Sequence, residues 1–424
     1  MIKKTWRYYL ELNSNILCLV TAEFFLQVVN GAFTLALNLH LAKKGYTDSQ
    51  IASFTADRFM AVMLFALPFG YYIKGRALRP IFALSASLLP VVSLLLLETI
   101  GTNTDGLLRL CLVAWGICFT GMAIPAIPYI LRNSAANIHT RAISLNAAMW
   151  SLGLIVAGSL LYLLAHIAPS FFDEKRLLQF FSIFGVGGAY FVWRMSPDEV
   201  IQTTSSVRGK QFGNWFGEYD WLLIFRAVIP TTLIAIGAGL TIPFMNLFFY
   251  NIFGLDTDSF SLLGSFTALL VTASTLAVPY IKNRLGYKAI PLSQGLAIAS
   301  LVALGASDFL RAESWALPLA LFCFAIRQPF MSLANPMTSE LTMYYVGKKN
   351  QEMMSALSSS IWSGSWFISS QVFAWLRYEQ LRYGSIFFIT AAFYVIGVML
   401  YVLLIKEYQA NAVAGKYALG TEPK

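Results

Sequence analysis

The segment SPDEVIQTTSSVRGKQFGNWFGEYD, residues 196–220, is the longest polar interruption in an otherwise apolar chain of 424 residues. It lies near the middle of the chain. Six apolar blocks precede it and six follow it, each of a length that can cross a bilayer as a helix. The pattern predicts either a linker between two equivalent membrane halves or an ordinary long loop. The internal repeat described below favours the linker.

Composition excludes a soluble globular protein. Hydrophobic residues make up 57% of the chain and charged residues 12%, and the mean hydropathy is +0.63. Globular proteins have about 45–50% apolar and about 25% charged residues. The four cysteines lie inside apolar blocks, and no Cys/His cluster accompanies them, so we expect no disulfide framework, metal site or cofactor. The N-terminal basic and apolar stretch is too long for a signal peptide and is interpreted as an uncleaved first span.

The apolar blocks predict an all-α membrane protein with twelve transmembrane helices. None of them alternates with the period of two that a barrel strand would show. An open sheet cannot satisfy its backbone in lipid, so helices remain. The predicted spans are 15–41, 49–73, 79–101, 106–131, 140–167, 174–195, 220–251, 258–282, 287–309, 313–342, 351–377 and 383–406.

Lysine and arginine residues predict the orientation. Nineteen of them fall on the side that carries both termini and the central segment, eight fall on the other side, and the remaining three lie inside spans. The side richer in Lys and Arg is normally cytoplasmic. We therefore expect cytoplasmic termini in a plasma membrane, or in the inner membrane of a Gram-negative cell. The net charge of +9 follows from these clusters and does not indicate a nucleic-acid partner.

Three short matches indicate that the two halves are repeats. They occur in the same order at offsets of 212, 208 and 212 residues: SFTA at 53–56 and 265–268, YIK followed by Arg at 72–76 and 280–284, and Trp-Ser at 150–151 and 362–363. Duplicated halves are common in transporters, which form a midplane site between two bodies. The predicted parts are an N-terminal half 1–195, a linker 196–219, a C-terminal half 220–406 and a tail 407–424.

The loops after the second and eighth blocks carry the clearest motif. The first reads GYYIKGRALR from Gly70 to Arg79, and the second reads NRLGYK from Asn283 to Lys288. Both resemble the loop motif of the major facilitator superfamily, roughly G-x-x-x-D-R-x-G-R-K. The second copy fits better, because Lys74 replaces the motif's Asp in the first. The antiporter signature that this family carries on helix 5 is missing its Gly-Pro ending.

The resemblance implies twelve helices in two six-helix halves that work by alternating access, with helices 1 and 10 lining the transport path. It also implies that the motif residues act in gating. They are Lys74, Arg76, Arg79, Asn283, Arg284, Gly286 and Lys288.

A polar stripe on the first predicted helix is the main candidate for proton coupling. Gln27, Asn30 and Thr34 follow Glu23 at +4, +7 and +11, which places all four on one face. Ionisable residues inside a span are costly and mark functional sites. The stripe predicts either a wall of a wet cavity, where Glu23 could exchange protons, or a structural polar seam.

Asp57 and Arg58 lie about eight residues into the second predicted helix, roughly 12 Å from its outer end. Asp57 is predicted to be a second proton site or half of an outer-gate ion pair. Arg58 is predicted to act at the gate or to extend towards the interface. Asp57 should be level with residues 33–34, so it should not form a dyad with Glu23.

Arg327 lies near the midplane of the tenth predicted helix, on a polar face that continues as Gln328, Ser332 and Asn335. A midplane arginine must be paired, either with a substrate anion or with an acid such as Glu23. These four residues are the predicted substrate contacts of this helix, together with Gln27, Asn30 and Thr34 of the first. Pro329 and Pro336 are predicted to break the helix locally or to kink it.

These features predict a secondary active transporter of a small organic solute, with an anionic or zwitterionic substrate favoured and protons as the coupling ion. An exporter or flippase of an amphiphilic drug or lipid is the alternative on the same fold. A membrane-embedded enzyme is disfavoured, because no catalytic triad or metal motif occurs in the sequence. The expected partners are the solute, protons and the lipid bilayer, and the expected working form is a monomer.

Overall fold

The computed structural model describes residues 12–73, 76–102, 104–133, 139–168, 171–196, 219–347 and 350–413. This part of the chain contains α-helices and short 3₁₀ turns and no strand. The α-helices are α1 Ser14–Lys43, α2 Asp48–Tyr72, α3 Arg79–Thr99, α4 Asp105–Asn133, α5 His139–Ile167, α6 Glu174–Phe184, α7 Val186–Trp193, α8 Trp221–Thr241, α9 Met245–Phe253, α10 Thr257–Leu285, α11 Ala289–Phe309, α12 Ala316–Val346, α13 Gln351–Tyr378 and α14 Tyr383–Val413.

The prediction of an all-α membrane protein with twelve spans is confirmed. The helices α6 and α7 together form the sixth span, and α8 and α9 together form the seventh. By length and composition alone, eight helices in the described part are apolar enough to cross a membrane. The predicted linker 196–219 lies outside the described residues except at its ends, so the predicted part boundaries stay a prediction.

Residue contacts divide the chain into two compact units. The first unit contains Met1–Arg208 and Pro243–Ala268, and the second contains Gly209–Ile242 and Leu269–Lys424. The seventh span is therefore divided at its 3₁₀ turn, Ile242–Phe244. In the first unit α1 is the central helix and packs against α5, α6 and α7, while α4 packs against α2 and α3.

Glycines set the close approach of α1 and α5 in the first unit. A Cβ added to Gly153 would lie 2.6 Å from the backbone carbon of Gln27, and one added to Gly31 would lie 3.0 Å from the Cβ of Ala157. Small residues let membrane helices approach until their backbones touch. The position of Gln27 is thus fixed by backbone contact with α5.

The divided seventh span is held to α1 within the first unit by two asparagines. Asn38 Nδ2 donates to the carbonyl of Pro243 at 2.7 Å, and Asn246 Nδ2 donates to the carbonyl of Leu35 at 3.3 Å. A helix break leaves backbone carbonyls without intrahelical donors, and in an apolar region these must find other partners. Asn38 supplies such a donor at the break.

In the second unit α8 packs against α13 and α14, and α11 packs against α12 and α14. The serine-rich α13 lies against a glycine of α8: a Cβ added to Gly239 would lie 2.8 Å from the Cβ of Ser369. Ser369 Oγ also donates to the carbonyl of Ile236 at 2.7 Å. Ser369 therefore packs α13 closely against α8.

Helix breaks occur at positions other than those predicted. The helix α12 stays helical from Ala316 to Val346 through Pro329 and Pro336, so the predicted local break at these prolines is wrong. The breaks lie instead at Gly185, between α6 and α7, and at the 3₁₀ turn Ile242–Phe244. The turn contains Pro243, whose ring cannot continue the hydrogen-bonding pattern of a regular helix.

Candidate functional site

The polar stripe of α1 is a continuous hydrogen-bonded chain in the first unit. Gln27 Nε2 donates to Glu23 Oε2 at 3.4 Å, and Asn30 Nδ2 donates to Gln27 Oε1 at 3.2 Å. Glu23 is 2% exposed and Gln27 is 1% exposed. Thr34, the last member of the predicted stripe, is exposed and joins none of these hydrogen bonds. The stripe therefore runs from a buried carboxyl towards a more accessible end.

Glu23 has one oxygen without a hydrogen-bond partner among the described residues. Its Oε2 accepts from Gln27, whereas its Oε1 is buried and unpartnered. No lysine or arginine in the described part lies within 4 Å of this carboxyl, so it has no direct counter-charge there. An ionised carboxylate in such a place would be strongly destabilised, because burial removes the water that solvates its charge.

Arg58 extends the chain from α2. Its Nη2 donates to Asn30 Oδ1 at 2.7 Å, and its guanidinium lies 4.1 Å above the ring of Trp115. The predicted extension of Arg58 towards the interface is wrong, because the side chain turns to α1 and α4 instead. No described carboxylate lies within 4 Å of it. An added Cβ on Gly116 would lie 2.7 Å from the carbonyl oxygen of Arg58, so close packing of α2 and α4 fixes this placement.

Asp57 belongs to a separate polar cluster in the same unit. Arg109 Nη1 of α4 donates to Asp57 Oδ2 at 2.7 Å, and Arg109 Nη2 donates to Ser53 Oγ at 3.0 Å. Asp57 and Glu23 thus have different partners. The ion pair joins α2 to α4 within the first unit, and its Arg109 side chain is 42% exposed.

Arg327 is the buried cation of the second unit. It is 1% exposed, and its Nη2 donates to Tyr394 Oη at 3.0 Å and to Thr241 Oγ1 at 3.3 Å. Its Nε has no hydrogen-bond partner in the described part of the chain, and no described carboxylate lies within 4 Å. Tyr394 is brought close by α8, since a Cβ added to Gly237 would lie 2.8 Å from its ring. The partners of Arg327 are therefore neutral hydroxyls.

The other predicted substrate contacts on α12 are partly accessible. Gln328 and Ser332 are half-buried and Asn335 is exposed. Their side chains do not join the cluster around Arg327. The structure places these three residues on the predicted helix, and their contact with a substrate stays a prediction.

The two motif loops have different contacts. In the first, Arg79 Nη2 donates to the carbonyl of Trp193 at 3.1 Å, and Arg132 Nη1 donates to the carbonyl of Arg76 at 2.7 Å. Lys74 lies outside the described residues.

In the second loop, Lys282 Nζ donates to Glu340 Oε1 at 2.6 Å, and Arg284 lies 4.6 Å above the ring of Tyr280. Gly286 has a φ of 58°, a left-handed conformation that favours glycine. Asn283 lies in the last turn of α10, and Lys288 is the last residue of the 3₁₀ turn Gly286–Lys288. The basic residue just before the motif, Lys282, therefore ties α10 to α12 within the second unit.

Sequence reasoning missed four partners: Trp115, Arg109, Tyr394 and Glu340. Arg109 and Glu340 were detectable as charges within predicted spans, near their ends. Trp115 and Tyr394 carry no such signal, because aromatic residues are frequent throughout the chain. Among the described residues no group of three or more His, Cys, Asp or Glu side chains is arranged to hold a metal ion.

Solved structures share this fold at low identity. The nucleoside transporter NupG has a TM-score of 0.69 at 14% identity, over 93% of this chain and 100% of that one. The D-xylose-proton symporter has a TM-score of 0.68 at 15% identity, over 91% and 96%. The POT family transporter PepTSo has a TM-score of 0.69 at 11% identity, over 94% and 99%. At such identities the likeness shows the fold alone.

No curated protein sequence matches the chain. The family model of the Major Facilitator Superfamily matches residues 17–370, which is more than half of the chain. The loop motifs and the order of twelve helical spans agree with this match. The chain is a multi-pass membrane protein that belongs to the Major Facilitator Superfamily.

Proposed function

We propose that this protein is a secondary active transporter that moves a small anionic or zwitterionic organic solute by alternating access, coupled to protons through Glu23. The family and the transporters of the same fold support the general activity. One of those transporters is the D-xylose-proton symporter, which supports the choice of coupling ion. The solute and the coupling rest on this chain's own residues.

The buried carboxyl of Glu23 carries the proposal for proton coupling. It is 2% exposed and one of its oxygens has no partner in the described part of the chain. A carboxyl inside a membrane span is stable when protonated and costly when ionised, unless a cation or water reaches it. A change in its surroundings during the transport cycle would therefore load or release a proton. Asp57, paired with Arg109, is the second candidate proton site.

Arg327 supports the proposed substrate class. Its guanidinium is buried with two neutral hydroxyl partners and no carboxylate within 4 Å among the described residues. A planar guanidinium binds carboxylate or phosphate through two parallel hydrogen bonds. An anionic group of the solute would supply the missing counter-charge. Gln328, Ser332 and Asn335 are proposed as further contacts on the same helix.

The motif loops are proposed to act in gating. Lys282 with Glu340, and Arg79 with the carbonyl of Trp193, join neighbouring helices where loops leave the spans. Contacts of this kind stabilise one state of a unit and must yield when helices move. The proposed membrane is the plasma membrane, or the inner membrane of a Gram-negative cell, with both termini cytoplasmic.

Electrical recording from proteoliposomes on a solid-supported membrane tests the function and the substrate class. The solutes are monocarboxylates, dicarboxylates, amino acids, phosphorylated metabolites, nucleosides, sugars and quaternary amines, each applied with and without a pH gradient. We expect currents with an anionic or zwitterionic class, and loss of these currents in Arg327→Gln but not in the control Arg176→Gln. Responses to neutral or cationic solutes alone, or to none, would contradict the proposal.

A further inference from the structure

The hydrogen bonds that join Arg58 to Glu23 all point in one direction. Arg58 donates to Asn30, Asn30 donates to Gln27, and Gln27 donates to Glu23, at 2.7, 3.2 and 3.4 Å. Each amide accepts on the side of the cation and donates on the side of the carboxyl. Aligned dipoles in a hydrogen-bonded chain polarise one another, more strongly in a medium of low dielectric constant. The chain thus connects the guanidinium of Arg58 to the carboxyl of Glu23 through two neutral amides.

Backbone packing holds both ends of this chain in place. Gln27 is in contact with Gly153 of α5, and the backbone of Arg58 is in contact with Gly116 of α4. The distances between the side chains of Glu23, Gln27 and Asn30 follow from the geometry of α1, because residues three and four positions apart are neighbours on a helix. The amides can therefore change partners by side-chain rotation while the two helices stay in place.

No other charged group competes for Glu23 among the described residues. The close contacts of this part of α1 with α5 and α7 are made by glycines: Gly153 lies against Gln27, Gly187 against Phe25 and Gly188 against Leu26. Asp57 is engaged by Arg109, a separate ion pair. Arg58 is therefore the cation to which the carboxyl of Glu23 is linked.

Arg58 has spare binding capacity. A guanidinium carries five N–H donors, and the described contacts use Nη2 for Asn30. Its flat face lies on Trp115, whose ring is parallel to Phe119 at 5.4 Å and stacked with Phe33 at 6.0 Å. Trp115 is 2% exposed, so these rings hold the guanidinium in place and its remaining N–H donors are the groups left for a ligand. A guanidinium binds a carboxylate through two parallel hydrogen bonds.

We propose that Arg58 provides a carboxylate-binding site in the first unit, separate from the one proposed at Arg327 in the second unit, and that carboxylate binding there is coupled to protonation of Glu23 through Asn30 and Gln27. The inference rests on the proposed transport function and specifies how its proton is coupled. The carboxylate takes over the charge of Arg58, so Asn30 loses its donor and the chain no longer stabilises a negative Glu23. The carboxyl then takes a proton from solvent. The site therefore gains one negative charge at Arg58 and one proton at Glu23 when the carboxylate binds.

Infrared spectroscopy of the purified full-length protein tests the coupling without any transport assay. The band of the protonated carboxyl that is absent in Glu23→Gln reports on Glu23, and its intensity is followed against pH. In Arg58→Gln and Asn30→Ala we expect the band to persist to a pH about one unit higher than in the unsubstituted protein, since each removes charge compensation. Arg109→Gln is the matched control and should leave the titration in place.

Benzoate is the probe for the second half of the proposal. It should shift the Glu23 titration of the unsubstituted protein in the same direction as Arg58→Gln does, and it should have no effect on that variant. If Arg58→Gln and Asn30→Ala leave the titration unchanged, the amide chain does not couple the two charges. If the variants shift it and benzoate does not, Arg58 is a fixed counter-charge and the assignment as a carboxylate site is wrong. If the protein transports a solute but the substitutions and benzoate leave the titration of Glu23 unchanged, this inference is wrong while the proposed transport function stands.

Discussion

Arg327 donates a hydrogen bond to Tyr394 at 3.0 Å in the core of the second unit, and the hydroxyl of Thr241 is its other partner. Hydroxyl dipoles solvate a cation but do not cancel its charge. The unpartnered Nε of Arg327 leaves a further donor for an anion. This arrangement leads to the first prediction.

Arg327→Lys should preserve the fold and lower substrate affinity at least tenfold, because an ammonium cannot reproduce the planar pair of donors. Arg327→Ala should lower both affinity and melting temperature, since it leaves a cavity and removes the hydrogen bonds that Arg327 donates to the hydroxyls of Tyr394 and Thr241. Binding constants and melting temperatures of the purified variants provide the measurement.

Tyr394→Phe is the matched control for Arg327. It removes one hydrogen bond, costs about 1 kcal/mol of stability and retains the charge. A double variant of Arg327→Ala with Glu23→Gln tests the other pairing that the sequence leaves open. If Glu23→Gln raises the melting temperature more in the Arg327→Ala background than in the unsubstituted protein, Glu23 is a counter-charge of Arg327. Unchanged binding in Arg327→Ala would remove this residue from the site.

The interaction between Asp57 and Arg109 should contribute a measurable coupling free energy to the stability of the first unit. Asp57→Asn and Arg109→Gln each break an ion pair whose arginine side chain is 42% exposed, so solvent screens part of the attraction. We expect a coupling free energy on the order of 1 kcal/mol in a double-mutant cycle of thermal or denaturant unfolding. Purely additive effects would show that the pair contributes nothing to the stability of the first unit.

Gly153→Ala should destabilise the protein more than a glycine substitution in open space. The added Cβ would lie 2.6 Å from atoms of Gln27, which forces α1 and α5 apart. The expected cost is about 1–3 kcal/mol. Gly295→Ala on α11 is the control, because nothing lies within 4 Å of its added Cβ and alanine favours a helix. Equal melting temperatures for the two variants would show that α1 and α5 do not depend on this contact.

Both termini should be cytoplasmic. Nineteen Lys and Arg residues are on their side against eight on the other, and such asymmetry sets topology. Fusion of a reporter that is active only in the cytoplasm to each end provides the test. An inactive reporter at either end, with the fusion present in the membrane, would reverse the assigned orientation.

The sequence predicts the architecture well because a chain that crosses lipid must satisfy its backbone hydrogen bonds internally, which restricts it to helices or closed barrels. The length of the first apolar block predicts a span over residues 15–41, and the observed helix α1 is Ser14–Lys43. The charged loops between the blocks predict where each helix ends and the next begins. The stripe from Glu23 to Asn30 is also readable, since helical spacing places these residues on one face.

The partners across helices are not readable from spacing. Arg58 and Trp115 meet because Gly116 lets α2 and α4 touch, and many glycines occur in the chain. The break at Pro243 was not anticipated, whereas Pro329 is accommodated in a continuous helix. Such outcomes depend on whether a neighbouring side chain, here Asn38, satisfies the freed carbonyl.

Proton-driven uptake into proteoliposomes shows directly whether Glu23 couples solute movement to protons. The solute that gives currents is supplied under an imposed pH gradient, and its accumulation is compared for the unsubstituted protein, Glu23→Gln and the matched control Glu98→Gln, which alters an exposed glutamate of α3. Because the amide of glutamine keeps the shape but cannot exchange a proton, Glu23→Gln should equilibrate the solute without accumulating it. Accumulation by Glu23→Gln with unchanged dependence on the pH gradient would show that Glu23 is structural and that the coupling lies elsewhere.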